Sequence, residues 1–251
     1  MNNPVTVITA TYNRASTIVR ALSSVKSQTY SDIQLVVVDG ASTDETISKV
    51  NAILDETDIM ISEPDEGIYD ALNKGLAISD GEILCFLHSD DLYYDNEVIS
   101  KVVDVFADET IDVVYGDVCF FSGDSVLENR RRYRSKKLSR KNLAWGHMPA
   151  HPSTFIRRRV YNELDYFETN FKIAADYEFF CRLIKYPNLK SIYLPYPLVR
   201  MQLGGASTGG FRSKFLLNKE VLRAIRKNGI YTNLFMVLSK YPTKIIEYLL
   251  R

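Results

Sequence analysis

Four short runs of apolar residues alternate with amphipathic stretches in the first 107 residues, and this alternation limits the folds open to the chain. The runs lie at 4–9, 34–38, 58–61 and 83–87. Each is apolar at consecutive positions, which is typical of a strand covered on both faces in a parallel sheet. The intervening stretches have apolar residues at helical spacing. A strand followed by a helix, repeated four times, predicts an α/β fold with right-handed crossovers.

Residues with capping side chains predict where the first helices begin. Ser16 is expected to cap the first helix, and either Thr43 or Asp44 the second. The third and fourth helices are predicted over 67–79 and 96–107.

After residue 110 the regular alternation ends and shorter elements are predicted. They are strands at 112–121 and in pieces over 190–202, and helices at 139–145 and 175–186. From residue 212 onward the pattern predicts two helices separated at Asn228-Gly229.

Polar residues follow each of the four predicted strands, at the edge where a parallel sheet binds its ligands. They are residues 9–13, 39–40, 63–65 and 88–91. Asp90 and Asp91 are adjacent there, and neighbouring carboxylates repel each other and resist losing water. A cation near the pair would remove this conflict. The sequence therefore predicts a cation-dependent site at one edge of the sheet.

The charge of the chain is balanced in total but unevenly distributed. Lys+Arg and Asp+Glu both number 31, yet residues 1–129 hold 6 basic and 24 acidic residues, and residues 130–251 hold 25 and 7. This asymmetry favours a divalent-cation site in the first half and an anionic partner for the second. Mutual attraction of the two halves is the alternative explanation.

The three cysteines, Cys85, Cys119 and Cys181, lie in apolar surroundings without CxxC spacing. Their odd number indicates reduced core residues in a cytosolic protein. No basic segment followed by a long apolar run begins the chain, and no apolar stretch approaches the roughly 18 residues of a membrane span. We therefore expect neither a signal peptide nor a transmembrane helix.

Four motifs in order carry a resemblance to a known enzyme family. They read VTVITATYNR, LVVVDGASTDET, SEPDEGIYDALNKGLAISDGEILCFLHSDD and IAADYEFF. With these motifs the sequence resembles the inverting family 2 glycosyltransferases of the GT-A fold over about residues 4–180. The third motif resembles bacterial enzymes that build O-antigen, capsule or exopolysaccharide.

The resemblance implies an α/β architecture of the GT-A type, with a Rossmann-like, mostly parallel central sheet flanked by helices. It assigns residues 1–210 to the glycosyltransferase domain, with a nucleotide-binding half at 1–110 and an acceptor-binding half at 111–210. Residues 211–251 hold 9 basic and 2 acidic residues and are expected to form a basic amphipathic helical extension.

The resemblance also implies roles for individual residues. Asp91 would ligate Mn²⁺ or Mg²⁺ held by the donor diphosphate, and Asp176 would be the catalytic base. Ser89 occupies the first position of the family's Asp-any-Asp metal motif, which leaves most of the metal role to Asp91. Tyr12 would stack on the nucleotide base, and Asp39 would accept a hydrogen bond from it, most often from uracil. The residues implied in nucleotide binding are Thr11, Tyr12, Asn13, Asp39, Asn73 and Asp90.

The chemistry of sugar transfer is compatible with these residue types. A departing diphosphate gains negative charge, which a hard cation on carboxylate and phosphate oxygens stabilises. The attacking hydroxyl must lose a proton, which a positioned carboxylate can accept. Asp176 and Glu178 both lie at the start of a predicted helix, where capping or dipole stabilisation is the alternative role. Inversion by one in-line displacement needs no enzymic nucleophile, and the sequence has no convincing Ser-His-Asp set.

Two further residues are candidates for contact with the acceptor or the phosphates. His151 has a structural role as its alternative, whereas His88 and His147 are interpreted as structural. Arg212 follows the glycine-rich segment 203–208, which is either a lid over the diphosphate or a linker.

Basic segments in the second half of the chain predict its partner. Residues 130–141 hold eight Lys and Arg, and the extension is also basic. These segments favour peripheral contact with an anionic membrane, at the cytoplasmic face of a bacterial inner membrane, where a lipid-linked oligosaccharide would be the acceptor. A homodimer that buries the apolar face of the extension is the alternative. Nucleic acid is not an expected partner, because no recognition module is present.

The sequence thus predicts an inverting, metal-dependent glycosyltransferase that moves a sugar from a nucleotide sugar, a UDP-sugar, to a lipid-linked oligosaccharide in surface polysaccharide biosynthesis. A nucleotide-sugar-binding scaffold without transfer activity, acting in an assembly complex, is the alternative. A dinucleotide-dependent oxidoreductase is disfavoured, because the turn after the first strand reads TATYNRAS and lacks the GxGxxG pattern.

Overall fold

The strands of the protein join into one sheet covered by helices. The computed structural model describes residues 3–123, 125–126, 131–204 and 210–241. In these ranges the nine strands are β1 (Val5–Thr11), β2 (Ile33–Asp39), β3 (Ile59–Ser62), β4 (Ile83–Phe86), β5 (Leu92–Tyr93), β6 (Val113–Phe121), β7 (Arg131–Tyr133), β8 (Thr154–Arg157) and β9 (Ser191–Gln202). The helices in these ranges are α1 (Ile18–Lys26), α2 (Thr46–Asn51), α3 (Ile68–Ile78), α4 (Val98–Phe106), α5 (Arg140–Ala144), α6 (Arg158–Leu164), α7 (Ala175–Leu183), α8 (Phe211–Lys227) and α9 (Leu234–Leu238).

The first half of the chain forms the parallel part of the sheet. β3, β2, β1 and β4 lie side by side in that order and run parallel, as the alternating pattern predicts. The register sets Val7 between Leu35 and Cys85. Because these strands run in the same direction, their carboxyl ends meet at one edge of the sheet.

Beyond β4 the sheet becomes mixed. β8 lies between β4 and β6 and runs antiparallel to both, whereas β9 runs parallel to β6 and antiparallel to β5. The strand pieces predicted over 190–202 are one strand, β9, and its register against β6 is irregular between Tyr115 and Asp117. Pro195 and Pro197 lie at this irregularity, where a residue without an N–H group is tolerated. The whole is the mixed α/β sheet, flanked by helices, that the resemblance implies.

Two cores lie on opposite faces of the sheet. Ile8, Val38 and Phe86 belong to the core that includes α3 and α7, whereas Val7 and Val37 belong to the core that includes α1 and α4. Side chains of successive strand residues point to opposite faces, so a sheet covered on both faces needs apolar residues at consecutive positions. This burial explains the continuous apolar runs in the sequence.

Backbone hydrogen bonds, not Ser16, begin the first helix. The residue before α1 is Thr17, whose side chain makes no capping bond, and the N–H groups of Thr17 and Ile18 donate to the carbonyl of Arg14. The expectation that Ser16 caps this helix is therefore wrong. At the second helix the residue before α2 is Glu45, whose side chain makes no capping bond, so neither Thr43 nor Asp44 occupies the cap, although the Asp44 Oδ1 accepts the N–H of Thr46 at 2.9 Å.

The C-terminal extension begins with two helices, as predicted, and they are separated at Asn228-Gly229, where Gly229 has φ +68°. Only glycine adopts such a backbone conformation without strain. Its residues 242–251 lie outside the described ranges. In the described part of the chain, no helix combines the length and apolar character that a bilayer span requires.

Candidate active site

A cavity of about 620 Å³ lies at the carboxyl ends of the parallel strands. The segments that follow β1, β3 and β4 contribute to its wall, as predicted, whereas residues 39–40 after β2 are not lining residues. The lining residues of the three segments include Thr11, Tyr12, Asp65, His88, Asp90 and Asp91. The second half of the chain closes the cavity with residues that include His147, His151, Asp176, Gln202, Leu217 and Val221.

The turn after β1 presents an aromatic ring to the cavity. Tyr12 is 58% exposed, and Asn13 beside it has φ +50°, a conformation that asparagine tolerates better than most residues. The Asn13 Oδ1 accepts the N–H of Thr43 at 2.9 Å, which fixes the turn against the segment after β2. The Thr11 hydroxyl is buried and has no hydrogen-bond partner among the described residues. Tyr12 is therefore accessible to a stacking partner, whereas Asn13 itself is not a lining residue.

Asp39 supports this edge of the sheet from inside the protein. It is fully buried at the end of β2, where Oδ2 accepts the Ser42 N–H at 2.8 Å and the Ser62 hydroxyl at 2.7 Å. A Cβ at Gly40 would lie 2.5 Å from the carboxylate of Asp65, so a larger residue at position 40 would displace the Asp65 side chain. The structure thus brings Asp65, rather than Asp39, to the cavity wall.

Asp91 is a buried carboxylate on the cavity wall. It is 1% exposed, and its Oδ1 accepts the backbone N–H of Gln202 at 3.0 Å. Its Oδ2 is buried and has no hydrogen-bond partner among the described residues. Burial, and next the charge of Asp90, raise the pKa of Asp91 well above its usual range, although the charge of Arg20 opposes them. The antiparallel pairing of β5 with β9 brings Gln202 to Asp91.

The Asp91 side chain fits a hard divalent cation. An unpartnered buried carboxylate oxygen on a cavity wall is costly unless a cation or a proton meets it. Among residues 3–123, 125–126, 131–204 and 210–241, no group of three or more His, Cys, Asp or Glu side chains could hold a metal ion. The site therefore resembles those in which one or two carboxylates bind Mg²⁺ together with substrate phosphates.

Asp176 lies in the first turn of α7 and faces the same cavity. Its Oδ1 accepts hydrogen bonds from the Tyr69 hydroxyl at 3.1 Å and from the Tyr177 N–H at 2.7 Å. Burial raises the pKa of Asp176 to about 6, although both hydrogen bonds oppose this shift. The residue that precedes α7 is Ala174, so Asp176 is not the cap of this helix. A carboxylate with this pKa can take up a proton near neutral pH.

Glu178, the neighbouring acid, has a structural role. It is fully buried, and its carboxylate accepts hydrogen bonds from Arg182 Nε at 2.8 Å and from Asn228 Nδ2 at 3.0 Å. The two acids of IAADYEFF therefore point to different places, one to the cavity and one to the interior between α7 and α8.

Glu220 on α8 holds the segment that leads into α7, a role that the sequence reading missed. Its carboxylate accepts the backbone N–H groups of Lys172, Ile173 and Ala174 at 2.9, 2.9 and 3.0 Å. All three groups precede the first residue of α7, so Glu220 fastens the entry to this helix and does not cap it. The only sequence feature that marks Glu220 is its position as a single acid among the Lys and Arg of α8.

All three histidines of the chain line the cavity. The His151 ring packs on Phe86 with a centroid distance of 4.8 Å, and its buried Nε2 has no hydrogen-bond partner among the described residues. Burial, and next the neighbouring His88, lower the pKa of His151 to about 3, so this ring is neutral at physiological pH. Burial also lowers the pKa of His88, which Asp90 opposes. The interpretation of His88 and His147 as structural does not account for their place on the wall.

Cations from the second half of the chain face the acids from the first. Asp65, Asp90 and Asp91 precede residue 129, and most lining cations follow it. The lining cations are Arg14, Arg131, Lys136, Lys172 and Lys240. A wall with both signs of charge suits a metal together with a diphosphate, which agrees with the charge asymmetry of the sequence.

Besides Asn13 and Asp39, two further predicted contact residues are not brought to the cavity wall. The Asn73 amide bonds to the backbone of Phe167, with Nδ2 donating to the carbonyl at 2.8 Å and Oδ1 accepting the N–H at 2.9 Å. Arg212 is exposed at the start of α8. Residues 205–209, which include most of the predicted lid, lie outside the described ranges. A donor contact by Asn73 and a phosphate contact by Arg212 stay predictions.

Comparisons with known proteins identify the family. The family described as Glycosyl transferase family 2 matches residues 6–165. A PGL/p-HBAD biosynthesis glycosyltransferase of Mycobacterium bovis (strain BCG / Pasteur 1173P2) is 30% identical over 246 residues, which cover 96% of this chain and 91% of that protein.

Solved structures share the fold. S. aureus TarS 1-349 in complex with UDP-GlcNAc aligns with a TM-score of 0.67 and 19% identity, over 88% of this chain and 66% of that one. The mannosyltransferase PcManGT from Pyrobaculum calidifontis, in complex with GDP-Man and Mn2+, also aligns with a TM-score of 0.67, at 20% identity over 94% and 68% of the two chains. The sheet, the cavity at its edge and the family match over most of the chain agree, and the protein belongs to glycosyltransferase family 2.

Proposed function

We propose that this protein is an inverting, metal-dependent hexosyltransferase that moves a sugar from a UDP-sugar to a lipid-linked acceptor. One observation carries the proposal: a single cavity contains both the unpartnered carboxylate oxygen of Asp91 and the carboxyl of Asp176, whose pKa is raised to about 6. The carboxylate oxygen of Asp91 can hold a cation that stabilises the departing diphosphate. The carboxylate of Asp176 can accept the proton of the attacking hydroxyl.

The donor binds along the edge of the parallel strands. The exposed ring of Tyr12 stacks on the base, Thr11 borders it, and Asp90 meets the ribose. Support comes from the two solved structures, which contain UDP-GlcNAc and GDP-Man. Asp39 acts on the base only if the Ser42 loop gives up one of its hydrogen bonds to the carboxylate.

Asp91, with Asp90 beside it, would hold Mn²⁺ or Mg²⁺ together with the diphosphate oxygens. The bound cation supplies charge stabilisation for the leaving diphosphate. One of the solved structures contains Mn2+, which supports this assignment. The lining cations Arg131, Lys136 and Lys172 add positive charge around the phosphates.

Asp176 accepts the proton of the acceptor hydroxyl. As that proton moves to the Asp176 carboxylate, the hydroxyl oxygen forms a bond to the anomeric carbon. The bond from the anomeric carbon to the phosphate oxygen breaks, and its electron pair leaves with the diphosphate. One displacement of this kind inverts the anomeric configuration. The Tyr69 hydroxyl orients the carboxylate and stabilises its charged form before the proton arrives.

The acceptor is a lipid-linked sugar or oligosaccharide of bacterial surface glycan synthesis, met at the cytoplasmic side of the membrane. The mycobacterial relative is named for PGL/p-HBAD biosynthesis, which supports a glycolipid acceptor. The basic second half of the chain suits an anionic carrier or membrane surface.

The test begins with the donor. Full-length protein is screened by thermal shift with UDP-, GDP- and TDP-sugars in Mn²⁺, because a ligand that binds the native state raises its melting temperature. The donor that binds is then supplied with lipid-linked acceptors, and diphosphate release and the anomeric configuration of the product are measured. We expect transfer with inversion from a UDP-sugar. Retention of configuration contradicts the displacement, and binding without transfer to any acceptor of the panel favours the scaffold alternative.

A further inference from the structure

The C-terminal helices and α5 present exposed apolar side chains on one side of the protein. We call this group the aromatic surface, and it consists of Trp145, Phe215, Tyr231, Leu234, Phe235 and Leu238. Phe215, Tyr231 and Phe235 are 73, 79 and 76% exposed, and Trp145 is 38% exposed. Exposed rings of this size are unusual when they lie near one another on a protein without a partner.

Short contacts join the elements that carry these side chains. The Thr232 hydroxyl donates to the carbonyl of Ala144 at 2.7 Å, which brings the α8–α9 connection beside Trp145. A Cβ at Gly146 would lie 3.1 Å from the carbonyl of Val237, so α9 packs directly on the residue after Trp145.

The far end of the surface is joined in the same way. The Asn218 amide donates to the Tyr241 hydroxyl at 2.7 Å, which fixes the end of α9 against α8. Asn218 lies three residues after Phe215, within one turn of α8. The elements that carry the six side chains are therefore packed against one another.

The charges around the aromatic surface are almost all positive. Arg212 and Lys219 are exposed three residues before and four residues after Phe215, so they flank it on the helix. The sequence has no Asp or Glu between residues 130 and 162, and Glu220 is its one acid between 203 and 246. Glu220 is 5% exposed and holds three backbone N–H groups, so its charge does not offset the cations at the surface.

The same elements form part of the cavity wall. Gly146 and His147 follow Trp145 and line the cavity, as do Leu217 and Val221 of α8 and Lys240 after α9. The aromatic surface therefore borders the cavity on the side of the acceptor half.

We propose that the aromatic surface docks on an anionic lipid bilayer and brings the mouth of the cavity to the lipid headgroups. Aromatic and leucine side chains partition into the interface of a bilayer, and the surrounding Lys and Arg are attracted to anionic headgroups. A second copy of the chain fits less well, because a symmetric dimer would place the same cations against one another. The inference rests on the proposed function, because docking would bring the cavity to the membrane that contains the lipid-linked acceptor.

Trp145 is the one tryptophan of the chain, so its fluorescence reports on this surface alone. Full-length protein is titrated with vesicles of phosphatidylcholine, with and without phosphatidylglycerol, and both emission and co-sedimentation are measured. We expect a blue shift with the anionic vesicles, about tenfold tighter binding to them than to the neutral ones, and weakening by salt.

A double variant, Phe215→Ser with Phe235→Ser, tests the apolar contribution, and Val19→Ser is its matched control. Val19 is 42% exposed on α1, outside the aromatic surface. All three sites are exposed, so the variants are expected to fold. We expect the double variant to bind anionic vesicles about tenfold more weakly, while Val19→Ser binds like the unmodified protein.

Three results would overturn the docking proposal: unchanged Trp145 emission, vesicle binding that the double variant retains in full, or a blue shift that follows protein concentration without vesicles and accompanies a dimer mass in sedimentation. Failure of the proposed function is a separate result, since vesicle binding needs neither donor nor metal. Vesicle binding without sugar transfer contradicts only the enzyme assignment, and transfer to a soluble acceptor without vesicle binding contradicts only the docking.

Discussion

The hydroxyl of Tyr69 on α3 donates a hydrogen bond to Asp176 on α7 at 3.1 Å, and so joins the two halves of the cavity. The same hydroxyl lies 2.7 Å from the carbonyl of Ile173, so its single proton is shared between the two acceptors. α3 follows the DEG segment in the first half of the chain, whereas α7 lies in the second half. The proposed base is therefore oriented by a residue from the other half of the fold.

Tyr69→Phe is expected to raise the pKa of Asp176, because the hydrogen bond stabilises the charged carboxylate. A hydrogen bond worth about 1 kcal/mol corresponds to a shift of roughly half to one pH unit. The acidic limb of the rate against pH, near 6 in the unmodified enzyme, should move upward by that amount. Donor KM should stay the same, and a changed donor KM with an unmoved limb would indicate that Tyr69 acts on the donor instead.

Glu220→Gln is expected to move the same limb in the opposite direction. The charge of Glu220 raises the pKa of Asp176, so its removal should lower that pKa slightly. The amide can still accept some of the three backbone N–H groups, but its own N–H₂ group opposes them, at an expected loss of about 1–3 kcal/mol of stability. If kcat fell while the acidic limb of the rate against pH stayed in place, Glu220 would have a purely structural role.

Asp176→Asn should abolish sugar transfer and stabilise the fold at neutral pH. Loss of a general base costs about 10²–10⁴ in rate, while donor binding by thermal shift should persist. The folded pKa of about 6 lies above the ordinary value of 3.8, so ionisation of Asp176 lowers stability as pH rises through 6. The amide removes this cost, which is at most about 3 kcal/mol.

Urea unfolding of Asp176→Asn at several pH values provides the check. The stability gain should be present above pH 6 and should vanish near pH 4, where the carboxyl of the unmodified protein is protonated. A gain of equal size at both ends of this range would mean that the carboxyl of Asp176 does not ionise in that window.

Asp91→Asn should abolish the response to metal without loss of the fold. In the unmodified protein, Mn²⁺ with UDP is expected to raise the melting temperature more than UDP alone, as mass action requires of a ligand that binds only the native state. In the variant, the melting temperature with Mn²⁺ and UDP should equal the melting temperature with UDP alone. Apo stability should not fall, since the amide replaces a buried carboxylate whose Oδ2 has no hydrogen-bond partner among the described residues. If Mn²⁺ still raised the melting temperature of the variant, the cation would have to bind at another residue.

Glu178→Ala supplies the structural counterpart of the base variant. Its removal leaves the guanidinium of Arg182 and the amide of Asn228 without their buried partner. Breaking a buried charged pair costs about 3–5 kcal/mol, so the midpoint of urea unfolding should fall markedly. Specific activity of the folded fraction, measured well below the melting temperature, should be unchanged; a lost rate in folded protein would give Glu178 a role in the chemistry.

The sequence predicts the parallel half of the fold well because local pattern and burial agree there. The runs at 4–9, 34–38, 58–61 and 83–87 became β1 to β4, and the polar segments after β1, β3 and β4 reached one cavity, whereas residues 39–40 after β2 did not. β1 pairs with β2 and β2 with β3, as neighbours along the chain, whereas β4 returns to pair with β1, and such a change in strand order is where a parallel sheet binds its ligands.

The second half of the chain depends on contacts that no local pattern specifies. β8 inserts between β4 and β6 in the antiparallel sense, which brings His151 to the wall beside His88. Glu220 reaches the segment before α7 from more than forty residues away. Asn73 has the right residue type for a ligand contact, yet both ends of its amide bond to the backbone of Phe167. Long-range hydrogen bonds decide each of these outcomes.

The position of Glu220 on α8 constrains how the enzyme can be shortened. Residue 210 is the natural place to trim the chain when a soluble product is wanted, because the basic extension begins there. A protein trimmed at that point would lose the carboxylate that fastens Lys172, Ile173 and Ala174, and with it part of the cavity wall at Leu217 and Val221. Deletion of the extension would therefore abolish activity, whereas replacement of single exposed rings such as Phe215 or Phe235 would keep the cavity intact.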